Sequence, residues 1–482
     1  MNGGKNNNNH GHEKTPFFLC LLLCAHTFLT GGTGQELEKG KVLPKVKCND
    51  NPGNSYALFF PSAYTPEKEW PILYALDPAA RGHIPVELFR SAAEEYNFIL
   101  VGSNDSQNGP WQHVIQSLIV LWNDTNERFS IDKKRIYVTG FSGGARAASI
   151  FSRVIMFPVA GIIGCGAGLA KSLIKPEQIH PTYYLGIVGM EDFNYREMAI
   201  LDNQLEQQDV AHRFIIHKRG HDWPPAKTCL RAIEWLEIIG MQNNIRPKDG
   251  ELITKIYEKE LAEARSLESA GEFSRALAVY QILVQVFGEW VETNSLQAKI
   301  KSIQKSAEYA EDSKEEYRIQ ELEIQHLRKF GQVFGQIDKN PPPVNDVEKF
   351  IMNLGLEDLT KKKEAKKGDK EYAMAVRLLQ GLEIDAGSKG WDFFQKKEFP
   401  KAIFFFEIAA QGGGKDSPRK KNIYYNLASA YARIQNKKKA LANLRLAVEN
   451  GFDDIEHMEK DEDFASLRDS EEFQKIIRRL KQ

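Results

Sequence analysis

From Tyr56 to Ile216 short apolar runs alternate with longer segments of helical spacing, and this alternation restricts the chain more than any other feature. The runs Tyr56–Phe60, Ile72–Leu76, Phe98–Val101, Ile136–Val138, Val159–Ile163, Tyr183–Val188 and Arg213–Ile216 read as strands. Between them Val86–Tyr96, Val114–Arg128, Ala145–Val154 and Arg196–Gln207 have the spacing of amphipathic helices. Strand, helix, strand in repetition calls for crossover connections, and so for an α/β fold with a mostly parallel sheet and helices on both faces. Ligands of such sheets sit outside the carboxyl ends of the strands, which is where chemistry is to be sought.

At one of those ends the chain reads Gly140-Phe141-Ser142-Gly143-Gly144, after a β-branched and aromatic run and before the small residues that open a helix. A serine on so sharp a strand-to-helix turn needs neighbours without bulk two residues away on either side, and Gly140 and Gly144 meet that need. The turn would lift the hydroxyl above the sheet and set the helix N-terminus, with its unpaired N–H groups, beside any oxyanion formed there. A glycine-rich turn that merely contains a serine is the plainer alternative.

A nucleophilic serine needs a base, and the base needs an acid to hold its tautomer. Downstream, Leu185-Gly186-Ile187-Val188-Gly189-Met190-Glu191-Asp192 runs from a strand into a loop with two carboxylates. The last strand runs into His217-Lys218-Arg219-Gly220-His221-Asp222-Trp223. The residues leave Glu191 or Asp192 as acid and His217 or His221 as base; Gly220 gives the His221 loop the freedom to bring an imidazole back over the sheet. The order serine, acid, histidine is the one used by α/β-hydrolases.

The span from about Tyr56 to Gly240 resembles the α/β-hydrolase fold and, within it, esterases of the polyhydroxybutyrate depolymerase, feruloyl esterase and esterase-D type. Leu73-Tyr74-Ala75-Leu76-Asp77-Pro78, Gly140–Gly144 and Gly220-His221-Asp222-Trp223-Pro224 carry the likeness. The resemblance implies Ser142 as nucleophile, His221 as general base and Asp192, in the Gly-x-x-Asp pattern, as orienting acid, with no metal or organic cofactor. Relatives often carry His-Gly after the third strand; this chain has Asp77-Pro78-Ala79-Ala80-Arg81-Gly82. Pro78 has no N–H, so the oxyanion donors implied are the backbone of Gly143 and of Ala79 or Ala80. Arg81 and Trp223 are candidate substrate contacts, with exposure for the arginine and packing under the histidine loop for the tryptophan as the alternatives.

Past Gly240 the glycine-punctuated strands stop, 242–250 reads as a linker, and helices take over in 251–482. Ala264, Leu267, Ala276, Tyr280 and Leu283 stand at offsets 0, 3, 12, 16 and 19. Gly390, Phe393, Ala402, Phe406 and Ala409 repeat those offsets, as do Ala428, Tyr431, Ala440, Leu444 and Ala447. The recurrence resembles the tetratricopeptide repeat, whose paired antiparallel helices pack where small residues face one another. That resemblance implies an all-α module offering a surface to a protein or peptide partner. Between the copies, 302–370 is expected to hold a long exposed charged helix from Ser302 to Leu327, a break at Pro341-Pro342-Pro343 and a solvated lysine-rich run from Lys361 to Lys370.

At 482 residues the chain is long enough for two or three cores. Lysine plus arginine (64) balances aspartate plus glutamate (65), so no basic footprint points to nucleic acid. Residues 1–35 read as a polar asparagine-rich start followed by an apolar run, Phe17–Leu29, of signal-peptide length, and 36–241 as the hydrolase-like domain. Export to the periplasm or outside the cell is therefore expected, with a membrane role only if the signal stays uncleaved or Cys24 is lipidated; Leu23 fits a lipoprotein box poorly. Of the cysteines beyond the signal, a Cys48–Cys229 pair stays open, and Cys165 reads as a small buried residue. The expectation is an exported serine hydrolase acting on small carboxylic esters, with a peptidase on the same fold or a non-catalytic binding scaffold as alternatives.

Overall fold

The computed structural model describes residues 29–30, 36–179, 182–364, 369–414 and 417–481, and its centre is an eight-stranded sheet. The strands are β1 (Val42–Lys47), β2 (Ser55–Phe59), β3 (Trp70–Leu76), β4 (Ile99–Ser103), β5 (Ile131–Phe141), β6 (Gly161–Cys165), β7 (Tyr183–Gly189) and β8 (His212–His217). Their order across the sheet is β1-β2-β4-β3-β5-β6-β7-β8. β1 with β2 and β2 with β4 pair antiparallel, and every other pair is parallel. The fold is α/β-hydrolase-like.

β2, β3, β4, β6 and β7 are buried along their whole length, and β5 from Ile136 onward, and they carry the apolar runs that the sequence offers. β1 was not among the expected strands, for a physical reason: Pro44 and two lysines are tolerable only at a sheet edge, and the strand is bulged between Leu43 and Val46. Helices α1 (His83–Tyr96) and α5 (Ala226–Gln242) cover one face through Val86, Phe89, Ile233 and Trp235. Helices α2 (Trp111–Arg128), α3 (Gly143–Ile155) and α4 (Tyr195–Gln207) cover the other through Leu118, Phe151 and Leu205. Cys48 and Cys229 lie in these two different cores and are unpaired, so the pairing left open by the sequence is not made; Cys165 is buried beneath the sheet end.

The chain then becomes helical: α6 (Gly250–Ser269), α7 (Phe273–Phe287), α8 (Asn294–Gln304), α9 (Ala307–Lys339), α10 (Val347–Met352), α11 (Leu356–Glu364) and α12 (Lys370–Gln395). There follow α13 (Phe399–Gln411), α14 (Lys420–Arg433), α15 (Lys437–Glu449), α16 (Ile455–Lys460) and α17 (Glu471–Leu480). The three sequence copies fall on the hairpins α6/α7, α12/α13 and α14/α15, with Ala264, Ala276, Ala402, Ala428, Ala440 and Ala447 buried. Each hairpin turns on one left-handed residue seven positions after the first small residue: Gly271, Lys397 and Gln435. In each, the next N–H donates back to a carbonyl five residues earlier at 2.9 Å, Glu272 to Leu267, Glu398 to Phe393 and Asn436 to Tyr431. This six-to-one bond closes the helix C-terminus, so the repeat holds down to the backbone. Gly390 is small because the Phe406 ring occupies the space of a side chain.

The core of the α5 face continues without a break into α6, α7 and α8 through Tyr257, Leu261, Tyr280, Phe287 and Leu296. The charged helix α9 extends to Lys339 and is not exposed all round: Ile319, Glu323, Phe330 and Ile337 are buried. No helix among the described residues is long and apolar enough to cross a membrane. The expected signal segment, Cys24 included, lies outside the described residues apart from Leu29–Thr30, which pair with Glu36–Leu37.

Candidate active site

Ser142 stands between β5 and α3 with φ 52° and ψ −119°, a conformation that costs an L-residue energy and persists only where its surroundings impose it. Those surroundings are glycines. A Cβ on Gly140 would collide with the Gly144 carbonyl, and one on Gly144 with the carbonyl of Leu76 at the end of β3. The Ser142 N–H is held by the Cys165 carbonyl at 2.8 Å, and the N–H groups of Gly143 and Gly144 open α3 with no intrahelical acceptor.

The three side chains expected to act together are together. His221 Nδ1 lies 2.8 Å from Asp192 Oδ1, and His221 Nε2 lies 2.9 Å from Ser142 Oγ. With Nδ1–H donated to the carboxylate, Nε2 is left to accept the serine proton. Asp192 is 1 % exposed, and its Oδ1 also accepts the Asn194 N–H at 2.8 Å. Gly189 allows this: a side chain there would strike the Arg219 carbonyl, where the acid loop crosses the histidine loop. The crossing is sealed by Met190 N–H to the His217 carbonyl (2.8 Å) and Glu191 N–H to the Arg219 carbonyl (3.2 Å).

The alternatives fall away on the same geometry. Glu191 precedes the bonded carboxylate. His217 ends β8 with its Nδ1 buried and unpartnered, and burial pushes its pKa down. Gly220 is not needed for the reason the sequence offers, since its φ is not positive and a Cβ there would meet nothing closer than 3.8 Å. Two rings missed in the sequence hold the imidazole: Phe141 at 4.6 Å and Phe193 at 4.1 Å between centroids. Their signal was positional, one inside the serine motif and one directly after the acid.

The oxyanion side differs from expectation. The Ala79 N–H donates to Asp77 Oδ1 at 2.9 Å and the Ala80 N–H to the Asp77 carbonyl at 3.1 Å, so neither is free to receive a developing charge. Arg81 forks onto the same carboxylate at 2.9 and 3.1 Å, and Trp223, 3 % exposed, donates its indole N–H to it at 2.8 Å. Neither Arg81 nor Trp223 lines the cleft beside Ser142, which corrects their reading as substrate contacts. Burial alone would raise the Asp77 pKa; the hydrogen bonds from Arg81, Trp223 and Ala79 outweigh it and hold the carboxyl below its usual range. Asp77 thus ties the loop after β3 to the histidine loop.

The cleft, about 330 Å³, is lined by Pro78, Asn108, Trp111, Ser142, Gly143 and Arg146 among others. Arg146 is forked onto Glu197 at 2.7 and 2.9 Å. The Asn108 amide presses on Gly143: a Cβ there would overlap Asn108 Oδ1 and lie 3.3 Å from Nδ2. Its loop is fixed by the Asn108 N–H donating to the Pro78 carbonyl at 2.8 Å. Asn108 sits past the carboxyl end of β4, where the strand-end rule could have found it.

No protein-family model matches the chain, and no curated protein matches it. Among solved structures it is similar to an S-formylglutathione hydrolase of Staphylococcus aureus, at 13 % identity and TM-score 0.34 over 42 % of this chain and 98 % of that one. A ferulic acid esterase gives 15 % and 0.35 over 41 % and 98 %, and a thermostable esterase 18 % and 0.34 over 44 % and 69 %. Each likeness covers less than half of this chain.

Proposed function

We propose that the sheet half is a serine hydrolase that cleaves small carboxylic esters through an acyl-enzyme. The observation that carries this reading is the continuous relay from Ser142 Oγ through the His221 ring to the buried Asp192 carboxylate, mounted on a strained turn. His221 takes the hydroxyl proton as Ser142 Oγ attacks the ester carbonyl, and Asp192 stabilises the imidazolium. The carbonyl oxygen becomes an anion beside the N-terminus of α3, with the Gly143 N–H as one donor. The second is the Asn108 amide N–H, in place of the loop N–H groups that Asp77 has engaged. Collapse of the adduct expels the alkoxide, which His221 protonates. Water then attacks the acyl-Ser142 by the same route and regenerates the hydroxyl.

A cleft of about 330 Å³ favours a short acyl group. We place the protein outside the cytoplasm on the Phe17–Leu29 run alone; N-terminal sequencing of the mature chain tests this. The activity is tested with nitrophenyl esters of increasing acyl length against aminoacyl nitroanilides. The expected result is hydrolysis of the short esters that Ser142→Ala removes. Faster cleavage of the anilides favours a peptidase, and no turnover of either class favours the scaffold.

A further inference from the structure

The carboxylate of a triad is useful only while its loop stays still, because a displacement of about 1 Å at a reacting group costs on the order of 100-fold in rate. The loop carrying Asp192 leaves the sheet after Gly189, so something beyond the sheet has to hold its outer side. The helical half does this. Arg377, on α12, donates from Nη1 to the Met190 carbonyl at 2.7 Å, two residues before Asp192. The same guanidinium lies 4.7 Å from the ring centroid of Tyr195, three residues after it. One side chain thus grips the segment on both sides of the acid.

Arg377 is itself fixed. Its Nε and Nη2 donate to the two carboxylate oxygens of Glu323, on α9, at 3.1 and 2.7 Å, and the two side chains are 7 and 8 % exposed. A buried ion pair adds little net stability over well-packed apolar residues, so stability alone does not account for one here. Its fork has a second consequence: with the Nε–Nη2 edge of the guanidinium engaged by Glu323, Nη1 is aimed at one carbonyl, an arrangement a lysine cannot reproduce. Two neighbouring contacts act in the same sense. Gly381, one turn further along α12, faces Phe193, whose ring lies against His221; a Cβ on Gly381 would make an ordinary contact with Phe193 Cβ at 3.7 Å. Arg275 of α7 donates to the Ile216 carbonyl at 3.0 Å, beside the strand end from which the histidine loop departs.

We infer that Arg377, forked by Glu323, is a positioning residue for the acid Asp192, so that the helical half completes the active site. This rests on the reading of Ser142, His221 and Asp192 as a working triad. The experiment uses the full-length protein and a fluorophosphonate, measuring the maximal inactivation rate and the concentration dependence separately. Wild type is expected to label at Ser142. Arg377→Ala should lower the maximal rate about 100-fold with the half-saturating concentration unchanged, non-denaturing guanidinium should restore part of it, and Arg377→Lys should not. Should Arg377→Ala fail to fold, Glu323→Gln, which keeps the size and loosens the fork, is expected to lower the same rate. A wild-type protein that labels at Ser142 while the folded variant inactivates at the same rate overturns the positioning role and leaves the triad standing. Absence of wild-type labelling overturns the triad and the positioning role with it.

Discussion

The sheet half and the helical half impose order by different means. In the sheet the decisive constraints are backbone ones: Ser142 is fixed by its left-handed φ and by glycines packed against carbonyls, and the acid loop by the crossing at Gly189. In the helical half the backbone only repeats a hairpin, and beside the shared apolar core the sheet is reached by charged side chains: Arg377, forked by Glu323, through the Met190 carbonyl, and Glu260 through Arg213 and Arg231. Backbone constraint places these groups without charge. Paired charges give directional coupling between the halves, which a single substitution or acid can break.

The largest effect expected separates chemistry from coupling. Ser142→Ala should lower ester hydrolysis by about 10⁶-fold with the melting temperature unchanged; a large drop in melting temperature would mean that the elbow depends on its hydroxyl for stability. The coupling is tested at Glu260, buried between Arg213 of β8 and Arg231 of α5 at 2.5 to 2.6 Å. Glu260→Gln leaves two guanidinium groups without their counter-charge and should cost about 3–5 kcal/mol in denaturant unfolding. Acid should act at the same place. Burial opposes ionisation of Glu260, but Arg213 and Arg231 outweigh it and hold its pKa at about 2. Against an unfolded value of about 4.3, its contribution is complete above that pH and is lost as pH falls toward 2. Glu260→Gln should therefore flatten the acid limb of stability against pH.

The next effect lies within the sheet half. Asn108→Ala should lower the rate of ester hydrolysis about 100- to 1000-fold, with stability unchanged because the side chain is exposed. A smaller loss would return the second donor to the loop after β3. The smallest effects compare glycines. Gly390→Ala drives a methyl into the Phe406 ring and should destabilise by about 1–3 kcal/mol. Gly220→Ala, whose methyl would meet nothing closer than 3.8 Å, should fall within about 0.5 kcal/mol of wild type.

What was legible in the sequence follows the same division. The strand ends, the glycine-flanked serine and the Gly-x-x-Asp loop could be read because each constraint acts within a few residues. The helical repeat could be read because its facing residues recur at fixed offsets. Four contacts were missed. Asp77-Pro78 is a turn signal, and the Asp77 carboxylate takes the Ala79 N–H two residues on, so Ala79 and Ala80 looked like free donors only while that turn went unread. Trp223 stayed a candidate substrate contact because its partner, Asp77, lies 146 residues before it, whereas Arg81 is only four residues from Asp77 and its pairing was within local reach. The Arg377 contact to Met190 spans 187 residues and joins two regions that each look complete on their own. Glu323 sits in a run of charge that reads as a solvated face, and only the packing of α9 on α12 buries it.

The central claim is that one hydroxyl at the end of β5 is reactive because the fold gives it a base and an acid. Mass spectrometry of the full-length protein after fluorophosphonate treatment, with peptide mapping, tests this most directly. The account predicts a single adduct on Ser142, absent from Ser142→Ala and strongly diminished in His221→Ala. An unmodified wild-type protein, or an adduct on any other residue with Ser142 untouched, would contradict it.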